Sequence, residues 1–474
     1  MFRKFILRNE KAVYRFLEML PALVSFNIIL FPYWGTFLVP SVVAYFVLGY
    51  NIYWFYQSLQ IAITGIVSHL RIQAAMNFDW VKDLKAFPDW KRVAHIVIVP
   101  TYKEPLYILE RTLKSLADQT LPKKQLFVVL AMEKTEAKEE KDKKVKALRK
   151  KFGKTFQNLY ITVHELLPGE VPGKASNERY AAVWAKKNLI DKKKVEYEYA
   201  VATSCDADHV FHPNHFAALT YKFLDHPDRV TDTLGSIFNL SQLPRKDRLI
   251  STANYSLSFK LLHEVDYWDA DKIPEDWGIF FKAFYKKRGG VEVEPNYLPV
   301  YANAPEADGY WKTIKAMYNQ RKRWAWGVSD DPWVIKNYLL TPGIPFGEKT
   351  MRLLYLLQSH FLWPVHWFII TVGLQLPILV NPRFGRTALG YTIPRLSSII
   401  LTVALIFLLV MLALDRIYKP KRPEHVSALR AFLSPLEFFL MPIAGFIFVA
   451  LPGLDAHTRL MMGRYLEYKV TEKV

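Results

Sequence analysis

The stretch HIVIVPTYKEPLYILERTLKSLADQTLPKKQLFVVLAM, residues 95–132, contains two apolar runs with a helical pattern between them. The runs at 95–100 and 125–132 have the length and composition of buried strands, whereas residues 106–119 repeat their apolar side chains at helical spacing. A strand, a helix and a second strand in this order predict two parallel strands that are joined by a crossover helix.

The alternation of strands and helices continues downstream as far as residue 208. Residues 137–154 have the composition of a solvated charged helix, and NLYITVHEL at 158–166 has the pattern of a third strand. Residues 177–189 have helical spacing, and YEYAVATSCDAD at 197–208 has the pattern of a fourth strand. Strands that alternate with helices predict an α/β domain with a mostly parallel sheet.

Polar residues follow the predicted strands at the points where these strands end. In open α/β sheets, ligands bind beyond the carboxyl ends of the strands. We therefore expect one edge of the sheet to carry Pro100–Glu104, Glu133, Lys174 and Asp206–Asp208.

Long apolar segments flank the α/β region on both sides. Residues 19–66 are long enough for two helices of the roughly 20 residues that cross a bilayer, with a break near Pro32–Pro40. Residues 353–380 predict a further span with a kink at Pro364. Residues 396–415 form the most uniformly apolar span of the chain.

The last apolar segment, residues 436–454, is interrupted by Pro442 and Gly445 and fits either a span or a re-entrant segment. Lysine and arginine concentrate beside the spans, which predicts that the region between the two apolar blocks faces the cytosol. The basic residues concerned are Arg3, Lys4, Arg8, Lys11, Arg15, Lys82, Lys85, Lys91, Arg92, Arg416, Lys419, Lys421 and Arg422, with others in the tail RLMMGRYLEYKV.

The predicted organisation has three parts, which are membrane segments at 1–78, a cytosolic domain at 79–348 and membrane segments at 349–474. The formal net charge of +19 suits nucleic acid, anionic lipid or phosphorylated substrates. Nucleic acid is not expected, because the basic residues are scattered and are densest beside the spans. A membrane transporter stays an alternative. The spans contain few of the ionisable residues that transport sites usually need, and His360 and His366 are the main exceptions. The single cysteine excludes an internal disulfide framework and a cysteine-built zinc site.

Asp206 and Asp208 stand one residue apart at the end of the fourth predicted strand. In an extended strand end, alternate side chains share one face, so the two carboxylates can converge. Carboxylate oxygens in that arrangement suit Mg²⁺ or Mn²⁺ shared with a substrate diphosphate. A turn or a helix N-cap is the alternative interpretation of such a pair.

Two loops at the same edge offer further binding candidates. The loop VPTYKEP at 99–105 presents Tyr102 as a surface for base stacking and Glu104 as a hydrogen-bond acceptor, with an ordinary surface loop as the alternative. The loop VPGKASN at 171–177 places Lys174 before a helix N-terminus, where it would meet a phosphate. A solvated lysine is the alternative there.

The segment IPEDWGIFFKAF, residues 273–284, places Glu275 and Asp276 at the start of an apolar helix. Acidic residues stabilise a helix N-terminus, which is one interpretation of this pair. The other is a general base, in which Asp276 accepts a proton from an acceptor hydroxyl as that hydroxyl attacks an anomeric carbon.

Gln320, Arg323 and Trp324 share helical spacing within YNQRKRWAWGVSDDPW, residues 318–333. Arg323 would hold a leaving diphosphate, and Trp324 would stack on a sugar. The alternative is a helix at the membrane surface, where aromatic and basic residues are common.

The order of VPTYKE, GKASN, DAD, PED and QRKRW between two apolar blocks resembles the processive family 2 glycosyltransferases, which include cellulose synthase and hyaluronan synthase. The resemblance extends from about Val93 to Trp326, with the flanking spans and the Leu466–Lys473 tail. It implies a GT-A fold, a nucleotide-sugar donor that is usually a UDP-sugar, and Mg²⁺ or Mn²⁺ as cofactor.

The resemblance also implies a role for each motif residue. Asp276 matches the catalytic base, and Asp206 and Asp208 match the metal-binding pair, with Asp206 also facing the donor. The other residues that would hold the nucleotide sugar are Tyr102, Glu104, Glu133, Lys174, Gln320, Arg323 and Trp324.

The reaction implied by the resemblance is inverting transfer of a sugar to a growing polysaccharide, coupled to its export across the membrane. Transfer of a single sugar to a membrane lipid is the alternative. The resemblance places the protein in the plasma membrane as a multi-pass protein with a cytosolic catalytic domain, and the sequence does not indicate its oligomeric state.

Three features depart from the pattern of that family. Glu133, in LAMEKTE, stands where an aspartate is usual, which leaves the preference for base and sugar open. Pro274 stands where a threonine usually precedes the catalytic acidic pair. A cyclic-dinucleotide-binding module is not expected after the last apolar segment.

Overall fold

The computed structural model of the chain describes residues 2–156, 158–225, 230–234, 241–418, 427 and 434–467. Contacts between residues divide the chain into two units. The first unit is built within residues 1–67, 317–339 and 353–466, and the second within residues 68–316 and 340–352.

A sheet forms the centre of the second unit. Its described strands are β1 Ala94–Thr101, β2 Leu126–Glu133, β3 Asn158–His164, β4 Ala200–Ser204, β5 Val210–Phe211, β6 Val230–Leu234, β7 Tyr255–Ser258 and β8 Val293–Tyr301. Their order across the sheet is β3-β2-β1-β4-β7-β6-β8-β5. Strands β1 to β4 pair in parallel, as do β6 and β8, whereas the pairs β4–β7, β6–β7 and β5–β8 are antiparallel. The predicted α/β domain with a mostly parallel sheet is confirmed for these strands.

The strands β1, β2 and β4 are buried at every residue. Strands that are covered on both faces read as continuous apolar runs, which is why the runs at 95–100 and 125–132 predicted β1 and β2 within one or two residues. The register sets Val97 of β1 opposite Val128 of β2 and Thr203 of β4. Leu109, Leu113 and Leu116 from the crossover helix belong to the same core.

Helices account for most of the remaining described structure. Their bounds are Phe2–Arg8, Glu10–Leu38, Pro40–Asn77, Trp80–Leu84, Leu106–Ala117, Lys138–Phe152, Lys174–Ala185, His215–Asp225, Phe259–Glu264, Asp276–Lys286, Tyr310–Ala325, Asp331–Leu340, Phe346–Phe361, Val365–Thr371, Leu376–Val380, Pro382–Gly385, Ala388–Tyr418, Met441–Gly445 and Leu451–Met461.

The charged helix predicted at 137–154 forms at Lys138–Phe152, but it is more than a solvated face. Lys144 is buried and pairs with buried Glu136 at 2.5 Å. Lys141 is also buried and donates to the backbone oxygen of Glu133 at 3.2 Å. These two lysines therefore attach the helix to the end of β2.

The fourth strand is shorter than the sequence pattern predicts. It covers Ala200–Ser204, because Tyr197–Tyr199 form a 3-10 turn and the chain turns again after Cys205. The Cys205 amide still donates to the Ile98 oxygen of β1 at 3.1 Å. The Asp206 oxygen then accepts from the His209 amide at 3.1 Å, which closes a turn at the end of β4.

Three helices in the described residues are long and apolar enough to cross a membrane, namely Glu10–Leu38, Ala388–Tyr418 and Met441–Met461. A fourth span is counted if the pair Phe346–Phe361 and Val365–Thr371, which is bent by 66° where Pro364 predicted a kink, is one broken span. These helices are compatible with insertion into a bilayer.

The helix bounds bear on the predicted spans at three places. The break between the first two helices falls at Val39, inside the predicted range Pro32–Pro40, and Pro32 itself lies within the first helix. The second of these helices, Pro40–Asn77, is not one of the three described helices that are long and apolar enough to cross a membrane. At Gly445 the α-helix Met441–Gly445 changes to a π-helix, Phe446–Ala450, but helical structure runs on to Met461, so Gly445 marks a change of helix type and not an end of the helix.

Two groups of basic residues that supported the predicted membrane orientation lie outside the described residues. They are Lys419, Lys421 and Arg422 after the 396–415 span, and the part of the tail beyond residue 467.

The core position of Leu130 in β2 gives a test of this fold. Leu130 is fully buried, so Leu130→Ala should destabilise the protein by about 2–5 kcal/mol through lost burial and an unfilled cavity. The measurement is the midpoint of thermal unfolding of the detergent-solubilised protein. Leu167→Ala is the matched control, because Leu167 is 63% exposed. Equal effects of the two substitutions would contradict the fold.

Candidate active site

The turn after β4 brings three possible metal ligands together. Asp206, Asp208 and His209 each offer one ligand atom, and these atoms all lie within 4.8 Å of one another. Asp208 and His209 are buried, whereas the Asp206 side chain is 36% exposed. The predicted turn and the predicted convergence of the two carboxylates are therefore both present.

The turn is fixed from outside by hydrogen bonds to neighbouring segments. The Asn303 amide donates to Asp208 Oδ2 at 2.8 Å, and Arg111 donates to the Asp208 backbone oxygen at 3.2 Å. Thr112 donates through its hydroxyl to the Ala207 oxygen at 2.7 Å. The position of the buried carboxylate thus depends on the crossover helix and on the segment after β8.

The ligand atoms of this cluster fit a divalent cation. Carboxylate oxygens are the ligands that Mg²⁺ and Mn²⁺ prefer, and imidazole nitrogen is tolerated better by Mn²⁺ than by Mg²⁺. The sequence analysis did not identify His209, although its position three residues after Asp206 was the available signal. The residues that would hold the ion are Asp206, Asp208 and His209.

Lys174 lies at the first residue of the helix Lys174–Ala185 rather than in the loop before it. Its ammonium contacts Asp206 Oδ1 at 2.8 Å and Glu275 Oε1 at 2.7 Å, and it donates to the Ala253 oxygen at 3.0 Å. Its side chain is only 14% exposed, which excludes the alternative of a solvated lysine. Two carboxylates and one backbone oxygen thus surround the ammonium.

The charge of Lys174 is held by its acidic neighbours. Burial alone disfavours the ammonium, but the carboxylates of Asp206, Glu275 and Glu178 outweigh that penalty and hold the pKa of Lys174 well above its ordinary value. Lys174 therefore stays protonated across the physiological range.

Glu178 lies one helical turn after Lys174 and is fully buried. Its Oε1 accepts from the Ser204 hydroxyl at 2.7 Å. Burial, followed by repulsion from Glu275 and Asp206, raises the pKa of Glu178 to about 8 against the opposing effects of Lys174 and Ser204. The sequence analysis did not identify this residue. A lysine and a glutamate four residues apart on one helix face were the available signal.

Asp276 is the first residue of the helix Asp276–Lys286, as predicted. Its Oδ1 accepts from the Trp277 amide at 2.9 Å and its Oδ2 from the Ala253 amide at 3.2 Å. Burial and then the neighbouring Glu275 raise the pKa of Asp276 to about 7, whereas Lys174 and the two amides oppose the rise. A carboxyl group that titrates near neutral pH is suited to general base catalysis.

Ala253 connects the lysine to this aspartate. Its amide donates to Asp276, and its backbone oxygen accepts from Lys174. Its φ of 53° lies in the left-handed region that non-glycine residues rarely adopt. The backbone of this one residue therefore contacts both charged groups.

In the loop after β1, the acidic side chain of Glu104 accepts hydrogen bonds from neighbouring residues of the same loop. Glu104 Oε2 accepts from the Thr101 hydroxyl at 2.7 Å and from the Tyr102 amide. Between them, Lys103 has a φ of 65° and its ammonium lies 4.9 Å from the centre of the Tyr102 ring. Contacts of Tyr102 and Glu104 with a nucleotide base stay a prediction.

Glu133 ends β2 and is buried opposite His164 of β3. Its Oε1 accepts from the Thr135 hydroxyl. Because β1, β2 and β4 are parallel, Glu133 ends on the same sheet edge as the turn after β4, as the sequence predicted. Its contact with a donor stays a prediction.

Gln320, Arg323 and Trp324 lie on the helix Tyr310–Ala325, within its part that belongs to the first unit. Trp324 is 48% exposed, and the Arg321 guanidinium lies 4.5 Å from the centre of its ring. Lys322 on the same helix pairs with Asp455 at 3.1 Å. The carboxylates Asp206, Asp208 and Asp276 belong to the second unit, so the residues of QRKRW are not brought together with them inside one unit.

A family model described as "Glycosyl transferase family group 2" matches residues 228–414. The match supports a family 2 glycosyltransferase. It includes Asp276 and the QRKRW segment, and it begins after Asp208. No curated protein matches the chain.

Solved glycosyltransferase structures resemble the chain in part. One is a mannosyltransferase from Pyrobaculum calidifontis in complex with GDP-Man and Mn²⁺, with 14% identity, a TM-score of 0.46 and coverage of 85% of this chain and 100% of that one. Another is TarS residues 1–349 from S. aureus in complex with UDP-GlcNAc, with 16% identity, a TM-score of 0.38 and coverage of 70% and 95%.

The cation site gives a direct prediction. Asp208→Asn should weaken Mn²⁺ binding by at least about tenfold, because the buried carboxylate loses its charge while its shape is kept. Equilibrium titration of the detergent-solubilised protein with Mn²⁺, followed by the electron paramagnetic resonance signal of the free ion, measures the effect. Asp83→Asn, at an exposed position, is the control. Unchanged Mn²⁺ affinity in Asp208→Asn would remove Asp208 from the site.

Proposed function

We propose that the protein transfers a sugar from a nucleotide-sugar donor to an acceptor hydroxyl at this site. The observation that carries the proposal is a network of ion pairs around Lys174. This lysine contacts Asp206 of the candidate metal site and also Glu275, the neighbour of Asp276. The pKa of Asp276 is raised to about 7. The match of residues 228–414 to a family 2 glycosyltransferase model supports the same reaction.

The role proposed for each residue follows from the chemistry of its side chain. Asp206 and Asp208, with His209, would hold Mg²⁺ or Mn²⁺, which neutralises charge on the leaving diphosphate when it is bound. Asp276 accepts the proton of the attacking hydroxyl. One displacement with inversion at the anomeric carbon then needs no nucleophile from the enzyme.

The proposed donor is a UDP-sugar. Its base is proposed to contact Tyr102, Glu104 and Glu133, and its diphosphate is proposed to lie near Lys174. These residues lie at the carboxyl edge of the sheet, where ligands bind in α/β folds. Gln320, Arg323 and Trp324 are proposed to contact the diphosphate and the acceptor on the evidence of the sequence resemblance.

The proposed acceptor is a growing polysaccharide, made by a multi-pass plasma-membrane protein whose second unit faces the cytosol. Three helices that are compatible with bilayer insertion, and the exposed ring of Trp324 as a stacking surface for sugar, support this choice. Single-sugar transfer to a membrane lipid is the alternative, because the same helices would also give access to a lipid. A ladder of product sizes from purified protein supports polymer synthesis, and a single glycolipid supports the alternative.

Removal of the proposed base is the main test. Asp276→Asn should lower turnover by roughly 10²–10⁴-fold, because the amide cannot accept the hydroxyl proton. Binding of the nucleotide sugar should persist. Initial rates with radiolabelled UDP-sugars, together with equilibrium binding of UDP, measure the two effects. Full turnover in Asp276→Asn would reject the assignment.

The pH dependence follows from the raised pKa of Asp276. The base acts only as a carboxylate, so activity should rise with pH through about 7 and be lost as pH falls below that value. Lys174 lowers the pKa of Asp276, so Lys174→Met should move the midpoint of the profile to higher pH. The measurement is kcat/KM across pH 5 to 9 for both proteins. An unchanged midpoint in Lys174→Met would show that Lys174 does not influence the pKa of the base.

A further inference from the structure

Three oxygens surround the Lys174 ammonium in the arrangement described. It donates a hydrogen bond to the Ala253 oxygen and forms ion pairs with Asp206 Oδ1 at 2.8 Å and Glu275 Oε1 at 2.7 Å. Asp206 is at the same time one of the three groups that would hold a divalent cation. A divalent cation and an ammonium repel each other, so a cation that binds Asp206 weakens the contact of that carboxylate with Lys174.

Glu178 presents an acceptor that is not used. It is fully buried, Oε1 is occupied by the Ser204 hydroxyl, and Oε2 has no hydrogen-bond partner among the described residues. A buried oxygen without a partner loses its hydration and gains nothing in return, which makes it unusual in a folded protein.

The helix places this acceptor within reach of the lysine. Residues four apart on a helix lie on the same face, one turn above the other. Lys174 and Glu178 have this spacing at the start of Lys174–Ala185, and the charge of each acts on the pKa of the other.

We propose that Glu178 Oε2 receives the N–H of Lys174 that is released when a divalent cation takes Asp206. Glu178 is thus a positioning residue that acts on the cation site through Lys174. The inference rests on the cation site of the proposed function and adds a residue that the sequence motifs do not contain.

The exchange keeps the other contacts of the lysine. The ammonium can retain Glu275 and the Ala253 oxygen while one N–H turns from Asp206 to Glu178. Burial is the main cause of the raised pKa of Glu178, and the charge of Lys174 only partly opposes it. In the exchange the Glu178 carboxyl group releases its proton to solvent, the resulting carboxylate forms an ion pair with the ammonium, and Asp206 is left to the cation.

A double-mutant cycle on Mn²⁺ affinity tests the exchange without any reaction. Mn²⁺ alone is titrated into the full-length protein in detergent, and free Mn²⁺ is followed by electron paramagnetic resonance. Glu178→Gln keeps the shape and removes the anionic acceptor, so it should weaken Mn²⁺ binding by about tenfold, the order expected for one hydrogen bond to a charged group. Lys174→Met should tighten Mn²⁺ binding, because the competing ammonium is gone.

The double variant decides the mechanism. If Glu178 acts through Lys174, Glu178→Gln should change Mn²⁺ affinity less than about twofold in the Lys174→Met background. A direct electrostatic effect of Glu178 on the cation would weaken binding equally in both backgrounds and would overturn the inference. Lys174→Gln provides a second background if Lys174→Met does not yield folded protein.

Two outcomes separate this inference from the proposed function. Loss of Mn²⁺ binding in Asp208→Asn, with equal effects of Glu178→Gln in both backgrounds, rejects the role of Glu178 and leaves the cation site intact. If Asp208→Asn leaves Mn²⁺ affinity unchanged, both the cation site and this inference are rejected.

Discussion

The Lys174 ammonium is the group on which the arrangement of the site depends. It contacts Asp206 and Glu275 directly and lowers the pKa of Glu178 and Asp276. One buried positive charge cannot balance so many carboxyl groups, since each ionised carboxylate raises the pKa of its neighbours. Burial, followed by repulsion from the neighbouring carboxylates, raises the pKa of Glu178 to about 8 and that of Asp276 to about 7, and additional positive charge at Asp206 and Asp208 would stabilise the ionised forms.

The antiparallel strand β7 is what brings the lysine and the aspartate to one backbone residue. Because β7 runs opposite to β4, its first residue lies beside the last residue of β4, and the register sets Ser204 opposite Tyr255. Ala253 stands two residues before that point. An all-parallel sheet would have placed the start of this strand at the opposite edge, away from the turn that carries Asp206 and Asp208.

The sequence predicted the parts of the structure that depend on local pattern. The strands β1 and β2, the helix that starts at Asp276 and the carboxylate pair after β4 all follow from short apolar runs and strand-end positions. Glu178, His209 and the backbone of Ala253 were not predicted. The spacing of Glu178 from Lys174 and of His209 from Asp206 was a local signal for two of them. The contacts of Ala253 with Lys174 and Asp276 join segments that are far apart in the chain, and no local pattern specifies those contacts.

The membrane helices show the same limit. Proline and glycine are local signals, so a kink was predicted where Pro364 stands and an interruption where Gly445 stands. The chain bends by 66° at the first, whereas at the second it stays helical and changes from α-helix to π-helix. A glycine costs a helix only about 1 kcal/mol relative to alanine, which packing within the unit readily offsets, whereas proline removes a hydrogen bond and clashes with the preceding turn.

The basicity of Asp276 is a property of its surroundings more than of its own sequence position. Burial and Glu275 raise its pKa, while Lys174 and the amides of Trp277 and Ala253 lower it. Ala253 contributes to both of the effects that lower this pKa, since its amide donates to Asp276 and its carbonyl accepts from Lys174. A residue other than glycine in the left-handed region costs roughly 1 kcal/mol or more, and it persists only where the surrounding contacts hold it. The two hydrogen bonds of Ala253 are such contacts, so the conformation of one backbone residue and the protonation of the proposed base depend on each other.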